Sequence, residues 1–149
     1  FAAWRRAPLA GIGWFGERRL MCEDVSAAAA LLAAGHAVAY VADAEVEHGN
    51  EHPLRIELAR YFDIGATHAL DPRLETDFGS PHGEGLRFVR FGVRFLLDGG
   101  HAARLPAFAV WSAGKRVAYS LGRHHRALPP RLVRRLSSLP GWWEPRSPR

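Results

Sequence analysis

The apolar residues Leu54, Leu58, Tyr61, Phe62 and Gly65 recur at i, i+4, i+7, i+8 and i+11, the spacing that aligns one face of an α-helix with a core. Pro53 lies just ahead of them and suits a first helical position, where its missing N–H costs nothing. The spacing predicts an amphipathic helix of about four turns. Upstream, Val25 to Ala34 is rich in alanine and predicts a second helix, with Asp24 as its N-cap and Gly35 as its stop. Between the two, Ala37–Val41 alternates weakly and reads as a strand. Ala44–His48 reads as a second short extended piece, with Asp43 in the turn between them.

The 149 residues are 48% hydrophobic, enough to bury the core of one domain. The first residue is Phe1 rather than methionine, so the natural start is expected upstream. Cys22 is the only cysteine, which rules out an internal disulfide and a cysteine-based zinc cluster. Glu23 beside it disfavours the thiolate, so Cys22 is not expected to be catalytic. No apolar run approaches the ~20 residues of a membrane span. A net charge of +5 calls for an anionic partner. The charge is uneven: beyond Leu86 the only acids are Asp98 and Glu144, among many arginines.

Residues 71–85 hold Pro72, Gly79, Pro81, Gly83 and Gly85 and read as a polar loop. From Leu86 the pattern turns helical. Arg87, Arg90 and Arg94 share one face, with Phe88, Phe91, Phe95 and Leu96 on the neighbouring one. Such a helix suits a membrane interface, with arginines at headgroups and aromatics at the acyl boundary. A core-packed helix with a solvated basic edge has the same pattern. His124-His125, between Arg123 and Arg126, reads as solvated basic surface without a metal role. Residues 140–149, rich in proline and arginine, read as a flexible tail.

Several blocks fall in a fixed order: Glu23-Asp24, Leu31-Leu32-Ala33-Ala34-Gly35-His36, Val38-Ala39-Tyr40, Val46-Glu47-His48 and Arg60-Tyr61-Phe62-Asp63-Ile64-Gly65. This series resembles the second half of a GT-A glycosyltransferase of the inverting family 2, especially its bacterial rhamnosyltransferase-like members. The resemblance is specific to about Gly65 and looser beyond it. It implies an α/β fold: the acceptor-side half of a GT-A (nucleotide-diphospho-sugar transferase) fold, followed by basic amphipathic C-terminal helices. The expected organisation is residues 1–70 as the C-terminal part of the catalytic domain, a loop at 71–85, a basic helical membrane-associating region at 86–139 and the tail. The Asp-x-Asp metal motif of the family's nucleotide-binding half is absent, since no aspartate here has another two positions away.

The resemblance further implies an inverting glycosyltransferase that moves a sugar, such as rhamnose from dTDP-rhamnose, onto a lipid-linked or polysaccharide acceptor. Such an enzyme would be inactive without its donor-binding half. Asp24 maps onto the family's catalytic base, although a helix cap is the plain alternative; Glu23 would orient a sugar hydroxyl or a neighbouring arginine. His48 maps onto a ligand for Mn2+ or Mg2+, completed by donors from the N-terminal half. Its alternative is a strand-end imidazole bonded to backbone. The family often has His-x-His there, whereas this chain has His48-Gly49-Asn50, so the second role passes to Asn50 or His52 or disappears. Arg60 and Asp63 are candidate acceptor or phosphate contacts, or else a solvated pair. Tyr61 and Phe62 read as core more readily than as a sugar platform, and Arg5 and Arg6 as exposed charge. The implied partners are a nucleotide-sugar donor, a glycan or lipid-linked glycan and an anionic membrane surface, at the cytoplasmic face of the plasma membrane. The rivals are another hexosyltransferase of the same fold and a non-catalytic membrane-surface or partner-binding module. Nucleic-acid binding rests on charge and aromatics alone and is not expected, because no reading helix or RNA-binding signature is present.

Overall fold

Two glycines set the spine of the structure. A Cβ on Gly122 would lie 1.9 Å from the carbonyl oxygen of Phe62, and a Cβ on Gly65 would lie 2.1 Å from that of Tyr119. The helices that carry them, α3 (Leu54–Leu70) and α6 (Leu105–Arg123), therefore cross with their backbones in contact. Phe62, Ala66 and Ala118 are buried beside the crossing. The computed structural model describes residues 2–16, 19–47, 49, 52–77, 79 and 82–144.

Other elements pack around this pair. Helices α1 (Arg6–Gly11) and α2 (Glu23–Ala33) form a small satellite core from Leu9, Leu20, Ala27 and Leu31. The short α4 (Arg73–Thr76) follows α3, and α5 (His82–Asp98) lies against α6 through Phe88 and Phe108, whose ring centroids are 6.2 Å apart. Lys115 of α6 pairs with Glu57 of α3 at 3.2 Å and sits 4.8 Å over the Tyr61 ring. Beyond α6, a turn at His125–Ala127 leads to α7 (Pro130–Leu136) and a last turn at Pro140–Trp143.

The expected α/β fold does not form. Among the described residues the structure is helical, with no strand and no sheet. Residues 36–47 are irregular and exposed, with Tyr40 94% accessible. A bond from Ala44 N to Val41 O closes only a turn there. The reason lies in pairing: extended backbone needs a partner for its N–H and C=O groups, and an isolated hairpin is marginal in water. Ala37, Ala39, Ala42 and Ala44 add little β propensity and little area to bury.

The helices predicted from periodicity do form. The 54–65 helix runs on to Leu70 after Pro53, and the alanine-rich helix ends at Ala33, with Gly35 at φ +82° just beyond. Its start differs from expectation. Cys22 is the N-cap, in the left-handed conformation at φ 60°, and Asp24 lies inside the first turn with Oδ1 accepting from its neighbour Val25 N at 2.8 Å. Within 71–85, Pro72 is the N-cap of α4, and α5 begins at His82.

The C-terminal residues are held by a buried carboxylate. Asp63 is 0% exposed, and its Oδ2 accepts from Ser138 N at 2.7 Å and Ser138 Oγ at 2.5 Å. Trp143 packs over Phe62, with centroids 6.5 Å apart, and over His125 at 5.1 Å. His125 is therefore not solvated surface: it is buried, and its Nδ1 lies 3.0 Å from Gly122 O. Residues 145–149 lie outside the described residues. Asp63→Ala is expected to destabilise the protein by about 1–3 kcal/mol, the cost of stranding buried donors. It should also release the 137–143 segment, which a thermal melt combined with amide hydrogen exchange at Ser138 would read.

Candidate functional site

The acidic pair Glu23-Asp24 occupies the first turn of α2, where carboxylates are favoured by the helix dipole, and both side chains are exposed. Cys22 precedes them. Burial pushes its thiol up to about 11, with Asp24 and Glu23 adding to the shift and Arg60 opposing it. Such a shift favours the protonated thiol over the nucleophilic thiolate. That opposition also locates Arg60: α3 brings its exposed guanidinium near the start of α2. Glu23 and Asp24 adjoin Cys22 in sequence, and Arg60 is close enough for its charge to act on the thiol. Asp63 points the other way, into the protein, and holds Ser138. His48 and Asn50 lie outside the described residues, and His52 is half-buried. Among the described residues no cluster of three or more histidine, cysteine or acidic side chains could hold a metal.

A second polar centre lies where α3, α4 and α6 meet. Glu75 Oε1 accepts from Arg123 Nη1 and from the Tyr119 hydroxyl at 3.1 Å, and His68 Nδ1 lies 3.3 Å from the same oxygen. Burial pushes the Glu75 carboxyl up, but the hydrogen bonds from Arg123 and His68 outweigh it and the net shift is downward. Burial, followed by the Glu75 charge, raises the Tyr119 phenol, which keeps it a donor. Nearby, Asp71 accepts from Arg73 Nε at 3.0 Å and from Arg19, tying the segment before α2 to the end of α3. The Arg73 hydrogen bonds, helped by Arg19 and opposed by burial, hold Asp71 down at about 2.

Both carboxyls ionise more readily folded than unfolded, so their stabilisation is complete above the ordinary carboxylate pKa of about 4. It is lost as pH falls through the folded value, about 2 for Asp71. Melting temperature is expected to drop between about pH 4 and pH 2. Asp71→Asn should start lower and fall less steeply across the same range in a pH series of thermal melts.

The cleft beside Glu75 has a volume of about 430 Å³ and is lined by His68, Arg116, Ser120, Arg123, His124 and Arg126, among others. A second, apolar groove of about 730 Å³ runs between α3, α5 and α6 and shares His68, Arg116 and Tyr119 with the first. Sequence pattern does not isolate this centre, because Glu75 falls within a stretch that reads as loop. A signal was present: Arg116, Tyr119, Ser120 and Arg123 stand at i, i+3, i+4 and i+7 on one helical face.

The chain is 37% identical over 143 residues to the O-antigen chain rhamnosyltransferase WbaN of Salmonella anatum, and equally to RfbN of Salmonella typhimurium. Both relatives are named as rhamnosyltransferases of the O-antigen chain. The matched stretch is 96% of this chain and 45% of each relative, so the chain spans less than half of their length. No protein-family model matches the chain. No solved structure matches it either. Among the described residues no helix is long and apolar enough to cross a membrane.

Proposed function

We propose that this chain is part of a glycosyltransferase that moves rhamnose from a nucleotide sugar, dTDP-rhamnose, onto a polysaccharide of O-antigen type. The observation that carries this reading is 37% identity, running through 96% of the chain, to two O-antigen chain rhamnosyltransferases. The order of the Glu23-Asp24 and Arg60–Gly65 blocks favours an inverting enzyme of family 2. In such a displacement the acceptor oxygen bonds to the anomeric carbon as the bond from that carbon to the diphosphate breaks.

Asp24 takes the acceptor hydroxyl proton. A carboxylate is a weak base for an alcohol, so the proton moves late, once bond formation has made the hydroxyl acidic. Its exposed place in the first turn of α2 leaves it open to an incoming acceptor. Glu23 orients a sugar hydroxyl. Arg60, on the same side of the protein, contacts the acceptor or a phosphate, and Asn50 contributes a further polar contact. Asp63 acts at one remove, by positioning the C-terminal turn behind Arg60's helix. His48 is the residue of this chain assigned to a divalent cation, its other ligands drawn from outside residues 1–149. His48→Ala would then weaken Mn2+ binding in a calorimetric titration of the full-length protein.

We further place this enzyme peripherally at the cytoplasmic face of the membrane, through α5. Phe88, Phe91 and Phe95 are each more than 60% exposed there, although Val89, Val93 and Leu96 are turned toward partial cover. Arg90 and Arg94 flank them, and Arg87 pairs with Glu84 at 2.9 Å. Burying a phenylalanine is worth about 1.5–3 kcal/mol. Phe91→Ser with Phe95→Ser should therefore lower partition onto phosphatidylglycerol vesicles by about tenfold or more. Unchanged partition would assign this face to another part of the protein.

The test of the reaction is turnover of dTDP-rhamnose, UDP-glucose, UDP-galactose and GDP-mannose by the full-length protein with its lipid-linked glycan acceptor. Selective use of dTDP-rhamnose supports the reading. Turnover of another sugar would keep the class and discard the rhamnosyl label, and no turnover would favour a non-catalytic module.

A further inference from the structure

The segment that carries the acidic pair is tied down at some distance from it. Asp71 closes the C-terminal end of α3, its N–H bonded to Thr67 O at 2.9 Å, and it is buried. Its carboxylate accepts from Arg73 Nε at 3.0 Å, from Arg73 Nη2 at 3.2 Å and from Arg19. Asp71 and Arg19 are 52 residues apart in sequence, so their pair closes a long loop onto the α3–α6 spine. Arg19 is half-buried, and Leu20, the next residue, is buried.

Between this anchor and Asp24 the backbone is strained. Cys22 is left-handed at φ 60° and ψ 37°, a conformation that disfavours a residue with a Cβ and persists where its surroundings hold it. On the far side, the Cys22 carbonyl accepts from Ser26 N at 3.0 Å, and Ser26 and Ala27 are buried. The turn is thus clamped from both ends, by Leu20 and the Arg19–Asp71 pair upstream and by the first turn of α2 downstream. Glu23 and Asp24 follow it directly, and both are exposed. The Asp24 carboxylate bonds to the adjacent Val25 N, so its direction follows the backbone of this turn.

We propose that Asp71 and Arg19 are positioning residues for the acidic pair. Their ion pair fixes the left-handed turn at Cys22 and, through it, the direction of the Asp24 carboxylate. This role rests on Asp24 as the base of the transfer reaction proposed above. Helix α3 then serves the site twice, since it carries Arg60 and ends in the residue that holds the segment of Asp24. Misplacing a reacting group by about 1 Å can cost roughly 10²-fold in rate, so an anchor remote from the chemistry still governs it.

Two readouts on the full-length protein separate the anchor from the base. The first is labelling of Cys22 by N-ethylmaleimide, followed on its peptide by mass spectrometry. The thiol is half-buried, and the charges that shift it are Asp24, Glu23 and Arg60, so loss of Arg19 acts on labelling through access. Arg19→Gln should speed labelling by about tenfold or more, the change in local opening that losing a charge-assisted hydrogen bond allows. Arg19→Lys keeps the charge and should speed it less. The second readout is rhamnose transfer. Arg19→Gln should lower kcat by about tenfold or more with the donor KM unchanged, and Arg19→Lys should recover part of the loss. In the Asp24→Asn background the same substitution should cost little, because a residue acting through Asp24 has nothing left to position. A general loss of folding would instead lower kcat by the same factor in both backgrounds. Unchanged Cys22 labelling in Arg19→Gln, or an equal loss of turnover with and without Asp24, would overturn the proposal. Wild-type turnover by Asp24→Asn would overturn the base assignment and the positioning role with it, while faster labelling of Arg19→Gln would still establish the anchor.

Discussion

Gly122→Ala is expected to cost this protein about 3 kcal/mol or more, at the upper end for added volume in a packed interior. The new methyl would meet backbone on the facing helix: Phe62 O at 1.9 Å, and Phe62 C and Ala66 N at 2.9 Å. No side chain can rotate out of the way, so α3 and α6 must separate. Separation would uncover Phe62 and Ala66, now 1% and 0% exposed. Alanine gains about 1 kcal/mol over glycine in helix propensity, which is too little to reverse the sign. The loss should appear as a fall in melting temperature of roughly 10 °C. Gly85→Ala is the matched control, because a methyl there meets nothing within 4 Å inside α5. It should be neutral or slightly stabilising. Equal melting temperatures for the two variants would contradict the close crossing of α3 and α6.

The crossing also marks where the sequence was legible and where it was not. The period of Leu54, Leu58, Phe62 and Gly65 gives the buried face of α3 directly, because helical periodicity is a local property. That Gly65 opposes Tyr119 and Gly122 opposes Phe62 is a tertiary fact with no local signature. Asp63 illustrates the same limit. Its place beside Arg60 suggested an acceptor or phosphate contact, or else a solvated pair, but it is buried and its Oδ2 accepts from Ser138, which is distant in sequence. His125 read as surface from its arginine neighbours, yet Trp143 covers it. At 37–48 the expected strands had weak alternation and alanine, and no partner forms a ladder with them among the described residues.

Asp24→Asn is the second large effect. It exchanges a carboxylate for an amide of nearly the same shape that cannot accept the acceptor proton. Removing a positioned general base costs typically 10²–10⁴ in rate, so turnover should fall by roughly that factor. Donor affinity should stay near that of the wild type, because Asp24 is proposed to touch the acceptor hydroxyl and not the nucleotide. Folding should change little, since the Asp24 carboxylate is exposed and its hydrogen bond to Val25 N is a local one that the amide oxygen can replace. Glu23→Gln should act mainly through the acceptor KM.

The most direct measurement is therefore the rate of rhamnose transfer from dTDP-rhamnose to a lipid-linked glycan by full-length wild type and Asp24→Asn, at saturating donor and acceptor. The account predicts transfer by the wild type, a kcat lowered by at least about 10² in the variant, and an unchanged melting temperature. Transfer by Asp24→Asn at the wild-type rate would contradict it.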